Sequence, residues 1–144
     1  MDISDPSYAV RGMRVVIIDH RRGQVTDAVV SEDANEVVPL IGLRGGRVGL
    51  IKISARVGCL YNTVADHKGE PATFALVDHP YNRPRPQDWK HGSACLVGMS
   101  ATQKMCSIDS RDITKTFERL KLNPDLEWRF LVAGDELFCN RTVN

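Results

Sequence analysis

The sequence has almost no net charge: 19 Lys and Arg stand against 18 Asp and Glu, leaving +1 at pH 7. No global field draws the chain toward nucleic acid, an anionic membrane or an acidic substrate, so any partner must be recognised by a local surface. No apolar run approaches membrane-spanning length. The opening residues, MDISDPSYAVRGM, have neither the apolar core of a signal peptide nor the Arg-rich, acid-poor character of a transit peptide. Cytoplasmic synthesis without a signal peptide, and no membrane partner, is the expectation. The four cysteines, Cys59, Cys95, Cys106 and Cys139, are widely and irregularly spaced and form no CxxC knuckle. Reduced, mostly buried thiols are expected, with no metal and no cofactor. Repeats and low-complexity tracts are also missing, so no domain boundary is visible and residues 1–144 read as one β-rich domain.

What is present is a chain of 144 residues, 42% hydrophobic and 26% charged, the balance of an ordinary globular fold. Residues 13–19 (MRVVIID) are a β-branched run, residues 20–23 (HRRG) place Gly23 where a tight turn needs positive φ, and residues 24–31 (QVTDAVVS) supply a second strand. Ser31 or Asp33 is positioned to cap a short helix over 32–41, with Val37, Val38, Leu40 and Ile41 covering one side of the sheet. Residues 43–47 read as a turn and 48–57 as one half-buried strand, Ile51, Ile53, Ala55 and Val57 opposing Leu50, Lys52, Ser54 and Arg56. Further strands are predicted at 73–77, 93–100 and 104–108. A helix capped by Ser110, with Ile113, Phe117 and Leu120 on one face, stops at Asn123-Pro124. Residues 128–133 and 136–141 make a last hairpin. The fold class is α+β, predominantly β: an antiparallel sheet or a β-sandwich-like domain with one or two short helices.

Two segments stand outside this pattern. Residues 1–10 form a polar N-terminal arm. Residues 78–89 (DHPYNRPRPQDW) hold three prolines and no periodicity, an extended loop long enough to carry a function.

The chemical motifs are sparse. His91 precedes Cys95 by four residues, the one candidate pair for a cysteine-dependent enzyme, but the strand around Cys95 is apolar and disfavours a thiolate. Cys59, His67, His79, His91, Cys95 and Cys106 form no compact ligand motif. The Gly-rich residues 42–47 precede a strand instead of opening a helix, so they read as a β-turn and not as a phosphate cradle. Asp19, Asp27, Glu32, Asp33, Asp135 and Glu136 fall in turns and on strand edges, where solvated charge is expected. Across residues 11–53 the charged residues are expected to fall at turns where no chemistry converges. Arg11, Arg14, Arg21, Arg22, Arg44 and Arg47 lack interleaved aromatics, so nucleic acid is not an expected partner. Asn140-Arg141-Thr142 matches a glycosylation sequon that stays idle without export.

Arg11-Gly12 leading into MRVVIID, the Gly23 turn, the second strand, the acidic-capped helix and Gly46 before residues 49–54 resemble the opening of the interleukin-like EMT inducer and pancreatic-derived-factor family. Residues 92–98 (GSACLVG) are similar to its late hydrophobic strand. The resemblance covers residues 11–98. It implies a β-sandwich-like, non-enzymatic binding module; members are secreted and disulfide-bonded, and related domains bind carbohydrate. The chain departs from the pattern at Ser54-Ala55, where the family has an acidic pair, and at Lys90-His91, where it has Arg-Asp.

Three functional expectations follow. The first is a non-enzymatic structural or interaction subunit of a larger multi-copy assembly, such as a viral or phage particle, with other protein subunits as partners. Its chain ends pack on neighbours, and Tyr8, Arg11, Tyr81, Arg83, Arg85 and Trp89 make contacts, since Arg and aromatics are enriched in interface cores. The second is a carbohydrate- or small-ligand-binding module with Tyr81, Asn82, Asp88 and Trp89 as an aromatic platform and polar neighbours. The third is the cysteine enzyme.

Overall fold

The structure, a computed structural model, describes residues 12–30, 48–63 and 69–131. The expected helix at 32–41, the turn at 43–47, the strand at 136–141 and both chain ends, with Tyr8, Arg11, His67 and Cys139, lie outside the described residues. Of the described residues 48% are in strands and 13% are helical, so the fold is α+β and predominantly β.

Strand β1 (Met13–Asp19) turns through 20–23 into β2 (Gln24–Val30) in full antiparallel register, from Met13 opposite Val30 to Asp19 opposite Gln24. Gly23 closes the turn at φ +63°, a region that residues with a Cβ rarely adopt. The central strand β7 (Ala94–Met99) lies between β1 and β4 (Val57–Asn62), and β4 pairs with the edge strand β3 (Val48–Lys52). Where β1 leaves β7, the two-residue β8 (Met105–Cys106) takes its place. Beyond β2, β10 (Arg129–Leu131) pairs with it in parallel, so the seven-stranded sheet is mixed, antiparallel in all its other pairings. A second sheet holds β5 (Ala72–Leu76) between β6 (Trp89–His91) and β9 (Leu120–Leu122).

The main core lies between the sheets. It joins Val16 and Ile18 of β1, Val25 of β2, Cys59 of β4 and Leu96 of β7 to Phe74 of β5 and Leu120 of β9. Complete burial of a side chain such as Phe74 stabilises by about 2 to 3 kcal/mol. The alternate residues Met13, Val15, Ile17, Cys95 and Val97 form a second buried cluster on the other face of the large sheet. Burial on both faces explains why residues 15–18 (VVII) are continuously apolar and do not alternate with polar residues.

Helix α1 (Ser110–Arg119) adds Ile113 and Phe117 to the main core. Both of its expected ends shift. Asp109, not Ser110, is the N-cap, its carboxylate accepting from the Asp112 N–H at 2.8 Å, while Ser110 Oγ accepts from Arg14 Nη1 at 2.9 Å. The helix ends at Arg119 because Leu120-Lys121-Leu122 alternates with strand period and pairs with β5. The expected single strand over 48–57 is instead a hairpin: the N–H groups of Ile53 and Ser54 both donate to Val57 O, at 2.9 and 3.2 Å. Ser54 Oγ accepts from the Arg56 N–H, and the Arg56 guanidinium is held by Asp109 and Asp112 at 3.0 Å each, which stabilises the bend.

Candidate functional site

The loop after β5 is tied down from its first residue. Val77 donates its N–H to Arg119 O and accepts from Arg119 Nε at 3.1 Å, while Lys121 Nζ donates to Pro80 O at 2.9 Å. Asn82 N–H reaches His79 O, Tyr81 N–H reaches His79 Nδ1, and the two rings stand 5.2 Å apart. Pro84 and Pro86 keep the chain extended into a 3-10 turn, Pro86–Asp88. A reciprocal clamp closes that turn: Arg85 N–H donates to Asp88 Oδ2 at 2.8 Å and Asp88 N–H to Arg85 O at 2.9 Å, with the guanidinium on both carboxylate oxygens at 3.3 Å. The backbone N–H of Arg85, then its side chain, hold the Asp88 carboxyl below its ordinary range.

This framework encloses an open cavity of about 430 Å3. Leu76 and Val77 line its base, Arg85 and Asp88 form one wall, and Asp78, Asn82 and Arg83 complete the lining. None of the last three side chains has a hydrogen-bond or ion-pair partner among the described residues.

Of the residues expected to bind or contact, Asn82, Arg83, Arg85 and Asp88 therefore share one cavity. The expected aromatic platform does not form. Tyr81 is 88% exposed and does not line that cavity. Trp89 is not in the loop at all: it opens β6 and faces a separate depression of about 230 Å3 beside Tyr61, Gln87 and Lys90. Pairing of β6 with β5, Trp89 opposite Ala75, pulls it away from its sequence neighbours.

The Cys95 and His91 pair is not brought together by a hydrogen bond. His91 Nδ1 is engaged with Glu70 O at 2.8 Å, and the Cys95 Sγ points at Leu96 O at 3.9 Å within its own strand. Burial pushes the Cys95 thiol up to about 12 and raises Cys59 further, Cys95 adding to the effect on Cys59. Among the described residues no group of three or more His, Cys, Asp and Glu is arranged to hold a metal ion.

A cluster that the sequence reading missed lies at the hairpin turn. His20 contacts Ser93 Oγ through Nδ1 at 2.9 Å and the Glu70 carboxylate through Nε2 at 2.7 Å, and Arg21 Nη2 reaches the other Glu70 oxygen at 3.0 Å. Within the hairpin itself Arg14 grips Asp27 through two bonds of 2.8 and 2.9 Å. Burial acts to raise the Glu70 carboxyl, but the Arg21 and His20 hydrogen bonds outweigh it and hold the group below its usual range. Ser, His and Glu in a line invite comparison with a hydrolytic triad. Here, however, Ser93 is 7% exposed and lines neither the loop cavity nor the depression beside Trp89. The cluster joins the tip of the β1–β2 hairpin to the segments entering β5 and β7. No family model matches the chain, and no curated protein or solved structure shows significant similarity to it.

Proposed function

We propose that the protein is a non-enzymatic interaction subunit of a multi-copy assembly, such as a virus or phage particle, and that it meets neighbouring subunits along β3. One observation carries this reading: among the described residues β3 is an edge strand, and its Val48 and Leu50 are 43% and 52% exposed. Because the Ile53 N–H points at β4, the backbone of Ile51 and Gly49 points there too, and that of Val48, Leu50 and Lys52 points away. Exposed edges of this kind are usually guarded by charges, prolines or bulges, and within β3 the one charge is Lys52. An outward ladder flanked by apolar side chains is the chemistry of strand addition. Tyr81 and Arg83, exposed on the loop, suit a second contact.

Sedimentation velocity over a concentration series tests the proposal. Wild-type protein is expected to associate, and Leu50→Lys to dissociate the assembly with an unchanged melting temperature. A wild-type chain that stays monomeric to millimolar concentration sinks it.

The loop cavity favours a second reading, a small-ligand-binding module. Its volume lies within the range of ligand sites, and it gathers three polar side chains that make no hydrogen bond or ion pair among the described residues.

A further inference from the structure

We propose that the loop cavity binds a compact zwitterion, an α-amino acid or a molecule of that kind, with its carboxylate on Arg83 and Asn82 and its ammonium on Asp78. The inference rests on the ligand-binding reading and names the ligand class.

The argument is one of charge complementarity. Arg85 and Asp88 satisfy each other in the clamp, so as a wall they are close to neutral. That leaves one guanidinium, Arg83, and one carboxylate, Asp78, around the same space; Asp78 lies near enough to Arg85 to favour its charge but makes no hydrogen bond or ion pair with either arginine. A simple anion entering the cavity would be attracted by Arg83 but meet Asp78 and Asp88. A simple cation would meet Arg83 and Arg85. A ligand bearing both charges offers a hydrogen-bonding partner to both groups, and the Asn82 carboxamide adds a donor beside Arg83 for the carboxylate. Leu76 offers a small apolar surface for a short side chain.

A sugar fits less well. Pyranose recognition leans on stacking against an aromatic face, and both loop aromatics lie elsewhere, Tyr81 against His79 and Trp89 in the neighbouring depression. A wholly apolar ligand would strand the two charges without water or a partner. The framework is also preorganised: the bonds from Arg119 and Lys121 and the Arg85 and Asp88 clamp fix the backbone before any ligand arrives, which lowers the ordering penalty of binding.

Amide chemical shifts of the 15N-labelled full chain would be followed during titration with L-alanine, L-serine and L-leucine, and in parallel with acetate, methylammonium and methyl glucoside. At least one amino acid is expected to give saturable shifts centred on residues 78–85, with acetate and methylammonium at least about 10-fold weaker, since each lacks one charge-assisted contact. Arg83→Gln and Asp78→Asn should each weaken binding by about 10-fold or more, and Arg83→Lys should restore part of it. Neither side chain supports the fold, so the variants are expected to melt with wild-type protein. Acetate or methyl glucoside binding as tightly as the amino acids overturns the zwitterion assignment and leaves a ligand site. Absence of saturable shifts with all six compounds overturns both the assignment and the ligand-binding reading.

Discussion

Glu70→Gln is the sharpest probe of the polar cluster at the hairpin turn. The substitution keeps the side-chain shape and one acceptor oxygen but removes the charge shared by His20 and Arg21. The 2.7 Å bond to His20 sits where the His20 side chain is 7% exposed, and it falls from a charge-assisted bond to a neutral one, a loss of about 1 kcal/mol. The Arg21 arm, with its side chain 65% exposed, contributes at most about 0.5 kcal/mol. Together they predict a destabilisation of about 1.5 kcal/mol, a fall in Tm of roughly 5 °C for a chain of this size. His20→Ala should cost more, about 2 to 3 kcal/mol, because it leaves the Ser93 hydroxyl and the Glu70 carboxylate without their partner.

The pairwise term is isolated by urea denaturation of wild type, Glu70→Gln, His20→Ala and the double variant. In the His20→Ala background Glu70→Gln should cost only the Arg21 arm, so the coupling energy is about 1 kcal/mol. Equal costs in the two backgrounds would refute the clamp. The pH dependence gives an independent sign. The folded Glu70 carboxyl lies below its unfolded value of about 4.3, so its contribution is fully present above that pH and is lost as pH falls through the folded value. The stability gap between wild type and Glu70→Gln should therefore be constant near neutrality and shrink below about pH 4.3. A gap that widens on acidification contradicts the assignment.

Two further outcomes follow from the fold. Cys59 and Cys95 are buried, and burial pushes the Cys95 thiol up to about 12, so at pH 8 iodoacetamide should label half-buried Cys106 in the native protein and reach those two only on unfolding, as read by peptide mass mapping; native labelling of Cys95 at the Cys106 rate would contradict its burial. Gly23 and Gly69 both have positive φ, but a Cβ at Gly23 would lie 2.5 Å from the Glu127 carbonyl oxygen and one at Gly69 meets nothing within 4 Å. Gly69→Ala should cost about 1 kcal/mol from backbone conformation alone, and Gly23→Ala at least about 1 kcal/mol more by displacing the segment that leads into β10; equal losses in denaturant melts would refute the close approach.

The elements legible in the sequence are those whose causes are local. The β1–β2 hairpin was readable because Gly23 sits between two β-branched runs, and β7 because an apolar octet is bounded by Gly92 and by the turn at Ala101 and Thr102. The α1 face was visible in the spacing of Ile113 and Phe117, while its end was not. Leu120 lies on the helical face by sequence count but leaves the helix to pair with Leu76, a strand 44 positions away along the chain. Periodicity cannot weigh such a partner. The same failure merged β3 with β4: the alternation continued through Ser54 and Ala55, whereas the bend depends on Arg56 reaching Asp109 and Asp112, more than 50 positions downstream. Small polar residues at 54 and 55 were the available signal for a turn.

The site follows the same rule. The proline spacing of residues 78–89 marked the loop, and with it Asn82, Arg83, Arg85 and Asp88, because proline acts on its own backbone. The aromatic platform failed because the fate of Trp89 is decided by β5, and strand pairing places it beside Tyr61. His20, Glu70 and Ser93 were invisible for the strongest version of this reason: they are separated by 50 and 73 positions, and none carries a neighbouring motif. The physical content of each part differs accordingly. The clamp consumes its polar groups in holding the hairpin to the second sheet, whereas the loop cavity leaves Asp78, Asn82 and Arg83 without partners among the described residues on a backbone that is already fixed. A fold that satisfies a polar group internally has used it for stability. Exposed polar groups on a hydrogen-bonded backbone exchange only water for a ligand, which directs the search for binding to residues 78–88 and away from the Ser, His and Glu cluster.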